Sequence, residues 1–466
     1  MQEKIYFYYT NDLHSNFSQW PKVVQYLNDA RASTSLERAS SWVMDIGDHI
    51  DRAHPIAEAF MGKANVDLMN DAGYDLVTLG NNEGITLNHQ DLYHLYDQAN
   101  FQVVCANLHD MAEPAPAWLH SHVYVQSLTG IRIAVIGLTA PFNDYYELLD
   151  WHVSDPFAVL EREIKMVEQS SDIIVLLSHL GLSEDQTIAR RFPEIDVIIG
   201  GHTHHLLRTG EIVNNTILTA AGKHCHFIGE VILTWDHHRK QLVHKEAYAT
   251  DISHLTKDMR TERKIQKLTD QADDLLGKTV VHLDQSIEVK WFEDTKIMEK
   301  LTANMKHWTR ADCAMLNSGL LLDRLPAGDV TYQDVHRICP HPINPCVVEL
   351  NGDELLEVVR ASFTRDLMEL QLKGFGFRGK LIGRMIFSGI TVRTKAYTDG
   401  HESVREVLFQ DNPINPDRTY TVAVADTFTF GRLLPEVARS KTKKYFLPEF
   451  LRDLLAYTLK KDFAER

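Results

Sequence analysis

Residues 195–205 read IDVIIGGHTHH. A run of branched apolar residues, Ile195 to Ile199, stops at Gly200 and Gly201 and gives way to His202, Thr203, His204 and His205. An apolar run of this length bounded by glycines predicts a buried strand. Imidazoles just past the end of a strand stand where α/β sheets bind their ligands. On an extended segment, period two would turn His202 and His204 to the same side, within reach of one metal cluster. In a chain with 24 histidines a lone His-x-His is more often solvated surface than ligand. What changes the reading is that four other strand exits carry the same kind of side chain.

Moving outward, residues 5–10 read as the first strand and end in Asn11-Asp12-Leu13-His14. Residues 41–46 form a second, ending in Gly47-Asp48-His49-Ile50-Asp51, and 75–79 a third, ending in Gly80-Asn81-Asn82-Glu83. Residues 173–178 lead into His179. Further strands are expected at 101–106 and 131–138, and helices at 21–31, up to about 72, and at 156–169. Alternating strands follow over 210–250. Strand and helix alternate as in a layered α/β domain. Between 256 and 276 the sequence turns polar and helical, with only Met259, Ile265, Leu268 and Leu275 apolar. A mostly polar helix often bridges domains, so the boundary is expected there. Beyond it, helices near 295–308 and 353–370 and strands near 383–394 and 418–426 make a second α/β part.

A chain of 466 residues is too long for one core, so two or three domains are expected. A net charge of −16 argues against a binder of nucleic-acid polymers. An anionic substrate would need a local positive centre, which metal ions supply. Five scattered cysteines in no zinc-ribbon spacing fit a reducing compartment. The sequence enters KIYFYYTNDLH at once, without signal-peptide texture, and no apolar run approaches the ~18 residues of a membrane span. A cytoplasmic protein without a membrane partner is expected.

Asp12, His14, Asp48, Asn81, His179, His202 and His204 offer seven nitrogen or oxygen ligands and no cysteine. Such a set suits Mn, Fe, Zn or Co rather than a closed cysteine-rich zinc site. Seven ligands are too many for one ion but suit two, with one carboxylate bridging. Two ions ~4 Å apart clamp a phosphoryl group and lower the pKa of a shared water.

Asp-x-His, Gly-Asp, Gly-Asn-x-Glu, a lone His and Gly-His-x-His, in this order, resemble the calcineurin-like metallophosphoesterases over residues 1 to about 240. The second half carries Leu316-Asn317-Ser318-Gly319, then Pro326-Ala327-Gly328-Asp329-Val330-Thr331-Tyr332-Gln333-Asp334-Val335, then Val347-Val348-Glu349-Leu350-Asn351-Gly352-Asp353-Glu354-Leu355, and Ser388-Gly389-Ile390. These are similar to the C-terminal domain of the 5′-nucleotidase family. The resemblance implies one metal on Asp12, His14, Asp48 and His204. It implies a second on Asp48 (bridging), Asn81, His179 and His202.

The chain departs from that family twice. After the metal-binding asparagine the family carries a catalytic histidine, and three residues on an aspartate that orients it; here stand Asn82 and Ile85. Asn82 can donate a hydrogen bond to a phosphate oxygen but cannot release a proton at neutral pH. A missing general acid costs a factor of about 10² to 10⁴, less for a good leaving group. His49 and His54 are candidate substitute acids. The family also binds substrate through arginines and two stacking aromatics of the C-terminal domain. Here Leu322 and Asp294 fall where arginines are expected, with Arg324 able to replace one only from a shifted loop. The aromatic positions fall at His341 and within Thr427-Phe428-Thr429-Phe430-Gly431. Asn317, Gly319, His341, Phe428 and Phe430 are therefore the candidate substrate-binding residues, with His341 and Phe428 or Phe430 sandwiching a base.

The expected architecture is a four-layer α/β/β/α metallophosphoesterase domain over 1–250, a linker helix over 251–278, and a smaller α/β 5′-nucleotidase-type C-terminal domain over 279–466. The expected function is a dimetal phosphohydrolase that cleaves a small nucleotide or related phosphoester with a metal-activated hydroxide. Nucleoside monophosphates, 2′,3′-cyclic nucleotides and nucleotide sugars are the substrate classes. Two alternatives are a catalytically weak nucleotide-binding sensor, and a hydrolase of a non-nucleotide phosphate or a sulfur ester.

Overall fold

Alternation of branched side chains along the central strands sets the layers of the N-terminal part. In the computed structural model, which describes residues 2–372, 374, 376–397, 402–431 and 433–464, Ile173, Val175 and Leu177 face one core and Ile174 and Leu176 another. The first core also takes Ile5, Phe7, Tyr9, Met44 and Ile46, so it lies between two sheets. The second takes Leu160 and Ile164 of the helix Pro156–Val167 and Ile188 of the helix Leu182–Arg191. On the outer face of the first sheet, the helix Trp20–Glu37 buries Trp20, Val23, Val24 and Leu27. The order is helix, sheet, sheet, helix, as the sequence leads one to expect. A fully buried Val, Leu or Ile contributes roughly 1.5–3 kcal/mol. A one-residue slip of any central strand would exchange its two faces, so the register is strongly specified.

The first sheet has seven strands, in the order Gln241–Asp251, Phe227–Asp236, Gln2–Thr10, Ser40–Asp45, Leu76–Val77, Gln102–Val104, Leu119–His120. The second has six, in the order Glu211–Val213, Thr216–Thr219, Val197–Gly200, Ile173–His179, Arg132–Thr139, His122–Gln126. Gln2–Thr10, Ser40–Asp45 and Leu76–Val77 run parallel, as do Arg132–Thr139, Ile173–His179 and Val197–Gly200. Parallel strands bring their C-terminal ends to one edge of the sheet, which is where ligands bind in such folds. The third strand is shorter than the apolar run at 75–79, because a short helix, Asn81–Thr86, starts directly after Gly80.

The chain divides into two compact units, Met1–Ala272 and Asp273–Arg466. The division falls inside the predicted polar helix, which runs Met259–Leu276. In the first unit that helix buries Leu268 and Ala272, and its Lys264 reaches Asp67 (2.8 Å) and Asp71 (2.7 Å) on the helix Lys63–Ala72.

The second unit is a mixed five-stranded sheet in the order Met385–Ser388, Cys313–Asn317, Thr419–Ala425, Pro345–Asn351, Lys443–Tyr445, with the helix Lys296–Thr309 packed on it. The sequence Asn351-Gly352-Asp353-Glu354 closes a capping box. Glu354 N donates to Asn351 Oδ1 (2.9 Å), and Asn351 N donates to Glu354 Oε2 (2.8 Å), which satisfies two helix-end donors of Gly352–Ala361. The predicted helix over 353–370 is broken after that element, and Thr364 caps a new short helix, Arg365–Met368. Among the described residues no helix is long and apolar enough to cross a membrane.

Candidate metal centre

The exits of the parallel strands converge through backbone ties. Asp12 N donates to Gly47 O (3.1 Å), His14 N to Asp48 O (2.8 Å) and Ser15 N to His49 O (2.9 Å), so the first two exit loops run side by side. Neither Gly47 nor Gly80 has room for a Cβ, because the two loops lie backbone to backbone around Asp48. Glu83, fully buried, accepts from Gly80 N (2.9 Å), Asp48 N (3.0 Å) and Ile50 N (2.8 Å), and so fixes the second and third exits to each other. Five of the seven candidate ligands carry left-handed backbone: Asp12, His14, Asp48, His202 and His204. For non-glycine residues this conformation is uncommon, and such strain concentrates at functional sites.

Two groups of side-chain atoms result. Asp12, His14 and His204 form one, and Asp12, Asp48 and His179 the other; within each, one ligand atom per residue lies within 4.8 Å of the others. His14 Nε2 and His204 Nε2 are 3.0 Å apart, and Asp12 Oδ1 is 3.4 Å from the latter. Asp48 reaches both sides: Oδ1 is 3.4 Å from His179 Nε2 and Oδ2 is 3.8 Å from His14 Nε2. Asp12 also belongs to both groups, where the sequence reading assigned sharing to Asp48 alone. Asn81 and His202 stand together beside the second group, with Asn81 Oδ1 2.9 Å from His202 Nδ1 and the His202 ring 5.2 Å from that of His179.

The extended His202–His204 segment expected from period two is not formed. Both residues sit past the end of Val197–Gly200 with φ of 71° and 58°, and the turn sends His204 to Asp12 and His14 but His202 to Asn81 and His179. A turn rather than a strand therefore delivers one imidazole to each group.

The residues fit divalent cations. His179 Nδ1–H donates to Ile46 O (2.6 Å), which leaves Nε2 facing Asp48 at 3.4 Å. Nε2 is fully buried and makes no hydrogen bond. A carbonyl on the far nitrogen is the usual way a ligating imidazole is oriented. Burial opposes charge on Asp12, yet the His204 contact and His179 hold its carboxyl below the ordinary range. Asp48 behaves likewise, lowered by His179 and His14 against burial. Burial works against a charged His179 as well, but Asp48 and Asp12 raise it to about 10. Two buried carboxylates surrounded by imidazoles and no cysteine are a hard, oxygen-and-nitrogen donor set.

The candidate acids are placed elsewhere. His49 is buried, with its ring edge-on to Trp20 (5.0 Å) and Nδ1 3.1 Å from Asn65 Nδ2. Burial pushes it down to about 3, and the ring packs in the core rather than beside the candidate ligands. His54 caps the helix Pro55–Phe60 by accepting from Ile56 N (3.2 Å). Asn82 N donates to Asp48 Oδ1 (2.8 Å). Its side-chain Nδ2 donates to Ile50 O (3.0 Å) and lies 3.1 Å from His14 Nδ1, so its amide is directed at a candidate ligand rather than at open space. Sequence reasoning missed Asn11, whose Nδ2 donates to Asp12 Oδ2 (2.7 Å), and His224, whose backbone N–H donates to Asp12 O (2.8 Å). Adjacency to Asp12 was the available signal for Asn11. His224 lay in no motif.

In the second unit, Asn317 ends the strand Cys313–Asn317, Gly319 lies in the short turn Ser318–Leu320 that follows, and both pack on the segment 381–384. Asn317 Nδ2 and Gly319 N both donate to Ile382 O (2.9 Å each). His341 is buried and does not pair with Phe428 or Phe430. Its ring stacks on Phe377 (centroids 5.0 Å, planes 10° apart), Nε2 donates to Leu320 O (2.7 Å), and Nδ1 accepts from Arg378 N (2.9 Å). Phe428 is fully buried in the short turn Asp426–Thr429, and Phe430 is partly buried. The expected His341–Phe428/Phe430 sandwich is thus replaced by a His341–Phe377 stack, because Phe428 serves the core. Asp294, at an expected arginine position, instead pairs with Arg384 (2.7 Å), which also meets Glu402 (3.2 Å).

Residues 5–206 match the calcineurin-like phosphoesterase family, and residues 275–432 match the 5′-nucleotidase C-terminal domain. An uncharacterized metallophosphoesterase, YunD of Bacillus subtilis, is 42% identical over 461 residues, covering 98% of this chain and 100% of that protein. The trifunctional nucleotide phosphoesterase protein YfkN of B. subtilis is 25% identical over 404 residues, 75% of this chain and 27% of its own length. Among solved structures, the NAD nucleotidase of Haemophilus influenzae superposes with a TM-score of 0.68 at 16% identity, covering 100% of this chain and 97% of that one. At that identity the likeness shows the fold.

Proposed function

The chain belongs to the calcineurin-like metallophosphoesterases that carry a 5′-nucleotidase C-terminal domain, and from that premise we propose a hydrolase that uses two divalent ions to cleave phosphoesters of small nucleotides. The family uses divalent metals and hydrolyses phosphoesters. Asp12, His14 and His204 would hold one ion, and Asn81, His179 and His202 the other. Asp48 would reach both ions, and Asp12 is near enough to both groups to share that role. When bound, the ions would polarise the phosphoryl group and bring the pKa of a coordinated water towards neutrality.

The observation that carries this reading is the buried, unbonded Nε2 of His179 facing Asp48, in the middle of a ligand set drawn from five strand exits. The chain's own residues prepare the site. His202 N donates to both oxygens of Asp12 (3.2 and 3.1 Å), Asn82 N to Asp48, and Glu83 holds the loops, so little reorganisation is left for the reaction. The nucleotide class is supported by the nucleotide phosphoesterase YfkN and by the C-terminal family match.

In this reading residues 1–250 are the hydrolytic domain, 251–278 the linker and 279–466 the substrate-binding domain. Five free, buried cysteines fit a reducing compartment such as the cytoplasm. The test is hydrolysis of a nucleoside monophosphate, a 2′,3′-cyclic nucleotide and a nucleotide sugar by the Mn²⁺-reconstituted protein. Absence of turnover on all three, with metal bound, would overturn the nucleotide class.

One observation favours a narrower substrate. Position 82 holds no imidazole and its amide is engaged, so a leaving group that departs without protonation, as in an anhydride or activated diester, suits the site better than an alkyl monoester. No turnover even of an activated aryl phosphate would instead favour the nucleotide-binding sensor.

A further inference from the structure

One side chain beside the metal centre has no part in the roles assigned above. The turn after the strand Thr216–Thr219 is bolted to the exit of Gln2–Thr10. Asn11 Nδ2 donates to Gly222 O (2.7 Å), Ala221 N donates to Asn11 Oδ1 (3.0 Å), and His224 N donates to Asp12 O (2.8 Å). Since Asn11 also donates to an Asp12 carboxylate oxygen, the turn and that ligand share one clamp. His224 and Cys225 both hold left-handed backbone, φ 58° and 49°, at non-glycine positions. A conformation of that kind persists only where the surroundings enforce it.

What this turn presents is the imidazole of His224. The ring stands edge-on to that of His14, with centroids 6.0 Å apart at 83°, and its other ring neighbour is His226 at 6.1 Å. It is partly buried. It also lies outside both groups of mutually close ligand atoms. The anchored turn therefore holds a half-buried imidazole against His14 at the edge of the metal centre.

We propose that His224 is a substrate-contacting residue, whose imidazole N–H donates a hydrogen bond to a phosphoryl oxygen of the ester bound at the Asp12–His14–His204 side of the centre. The proposal rests on the phosphohydrolase reading above. A neutral imidazole carries one N–H, so donation needs no change of protonation and no proton is transferred. The donor sought at Asn82 is then supplied from a different loop, while the Asn82 amide is engaged with Ile50 and His14. A fixed donor aimed at the developing phosphoryl charge is a standard source of rate enhancement.

The test uses the full chain reconstituted with Mn²⁺, as wild type, His224→Phe and His224→Gln. Bound metal is measured by elemental analysis, affinity for inorganic phosphate by calorimetry, and kcat and KM on an aryl phosphodiester. Both variants are expected to keep the wild-type metal content. Phosphate affinity should fall about tenfold or more in His224→Phe, the usual consequence of losing a hydrogen bond to a charged group. His224→Gln, which retains an N–H, should recover part of it. Wild-type phosphate affinity in His224→Phe with metal intact would overturn the proposal, as would metal loss in both variants, which would make the ring a ligand. Should His224→Phe fail to fold, wild-type phosphate affinity and kcat in His224→Ala, which has no side-chain donor, would also overturn it. A wild-type protein that binds metal but neither phosphate nor ester would sink the phosphohydrolase reading itself, and His224 with it. An active wild type with an indifferent His224 removes this inference alone.

Discussion

The side-chain amide of Asn82 lies 3.1 Å from Nδ1 of His14 and donates to the carbonyl of Ile50 at 3.0 Å. His14 turns its other nitrogen, Nε2, towards Asp12, Asp48 and His204. The residue that stands where its family carries a catalytic histidine therefore packs its amide against His14, a candidate metal ligand. Side chains that contact a metal ligand from outside the coordination sphere typically change metal affinity by 10–100-fold when removed. Asn82→Ala is expected to weaken Mn²⁺ binding at the His14 site by about that factor, measured by competition with a fluorescent chelator. Unchanged affinity would show that Asn82 does not orient His14.

Glu83 is a second point of leverage, because one buried carboxylate accepts three backbone N–H groups from two loops. Glu83→Leu would leave three buried donors without partners, each costing about 1–3 kcal/mol. The variant is expected to lose at least about 3 kcal/mol in urea unfolding and to bind metal poorly. A loss below about 1 kcal/mol would mean the loops hold without it.

The convergence of like-charged carboxylates also predicts a response to chelation. Ions that bind only the folded chain stabilise it by mass action, by about 2.7 kcal/mol at a hundredfold excess over Kd. Treatment with EDTA should lower the unfolding temperature, and Mn²⁺ should restore it in proportion to the logarithm of its concentration. His179→Ala should remove most of that response.

His341 sets a pH dependence in the second unit. Burial depresses it to about 3, from an ordinary value near 6.5. Between those values the unfolded chain binds a proton that the folded chain refuses, so this contribution is intact above pH 6.5 and stability is lost as pH falls towards 3. The limiting slope is about 1.4 kcal/mol per pH unit. His341→Gln, which can still bond Leu320 O, should unfold with a shallower pH dependence between pH 6 and 4.5. Equal slopes in the two proteins would contradict it.

Much of this was legible in the sequence, for a physical reason. Apolar runs of four to seven residues broken by Gly47, Gly80 or Gly200 mark buried strands and the points where they end, and a polar side chain just past such a point has few places to go. A layered α/β domain followed from the alternation of strand and helix, the four layers from the family resemblance; in the structure Val175 and Ile174 face different cores. Backbone hand was not legible. Period two put His202 and His204 on one face, whereas left-handed turns send them to separate groups. Long-range neighbours were not legible either. His341 meets Phe377 across 36 residues of sequence (377 − 341 = 36), and His224 meets His14 across 210 (224 − 14 = 210). Neither pairing leaves a local pattern.

The most direct measurement is metal content per chain together with hydrolysis of a generic phosphodiester and monoester, for wild type and Asn82→His. Two divalent ions per chain, turnover of the diester, and monoesterase activity gained by Asn82→His are the predicted result. A protein that binds no divalent ion after reconstitution, and hydrolyses neither ester, would contradict the account.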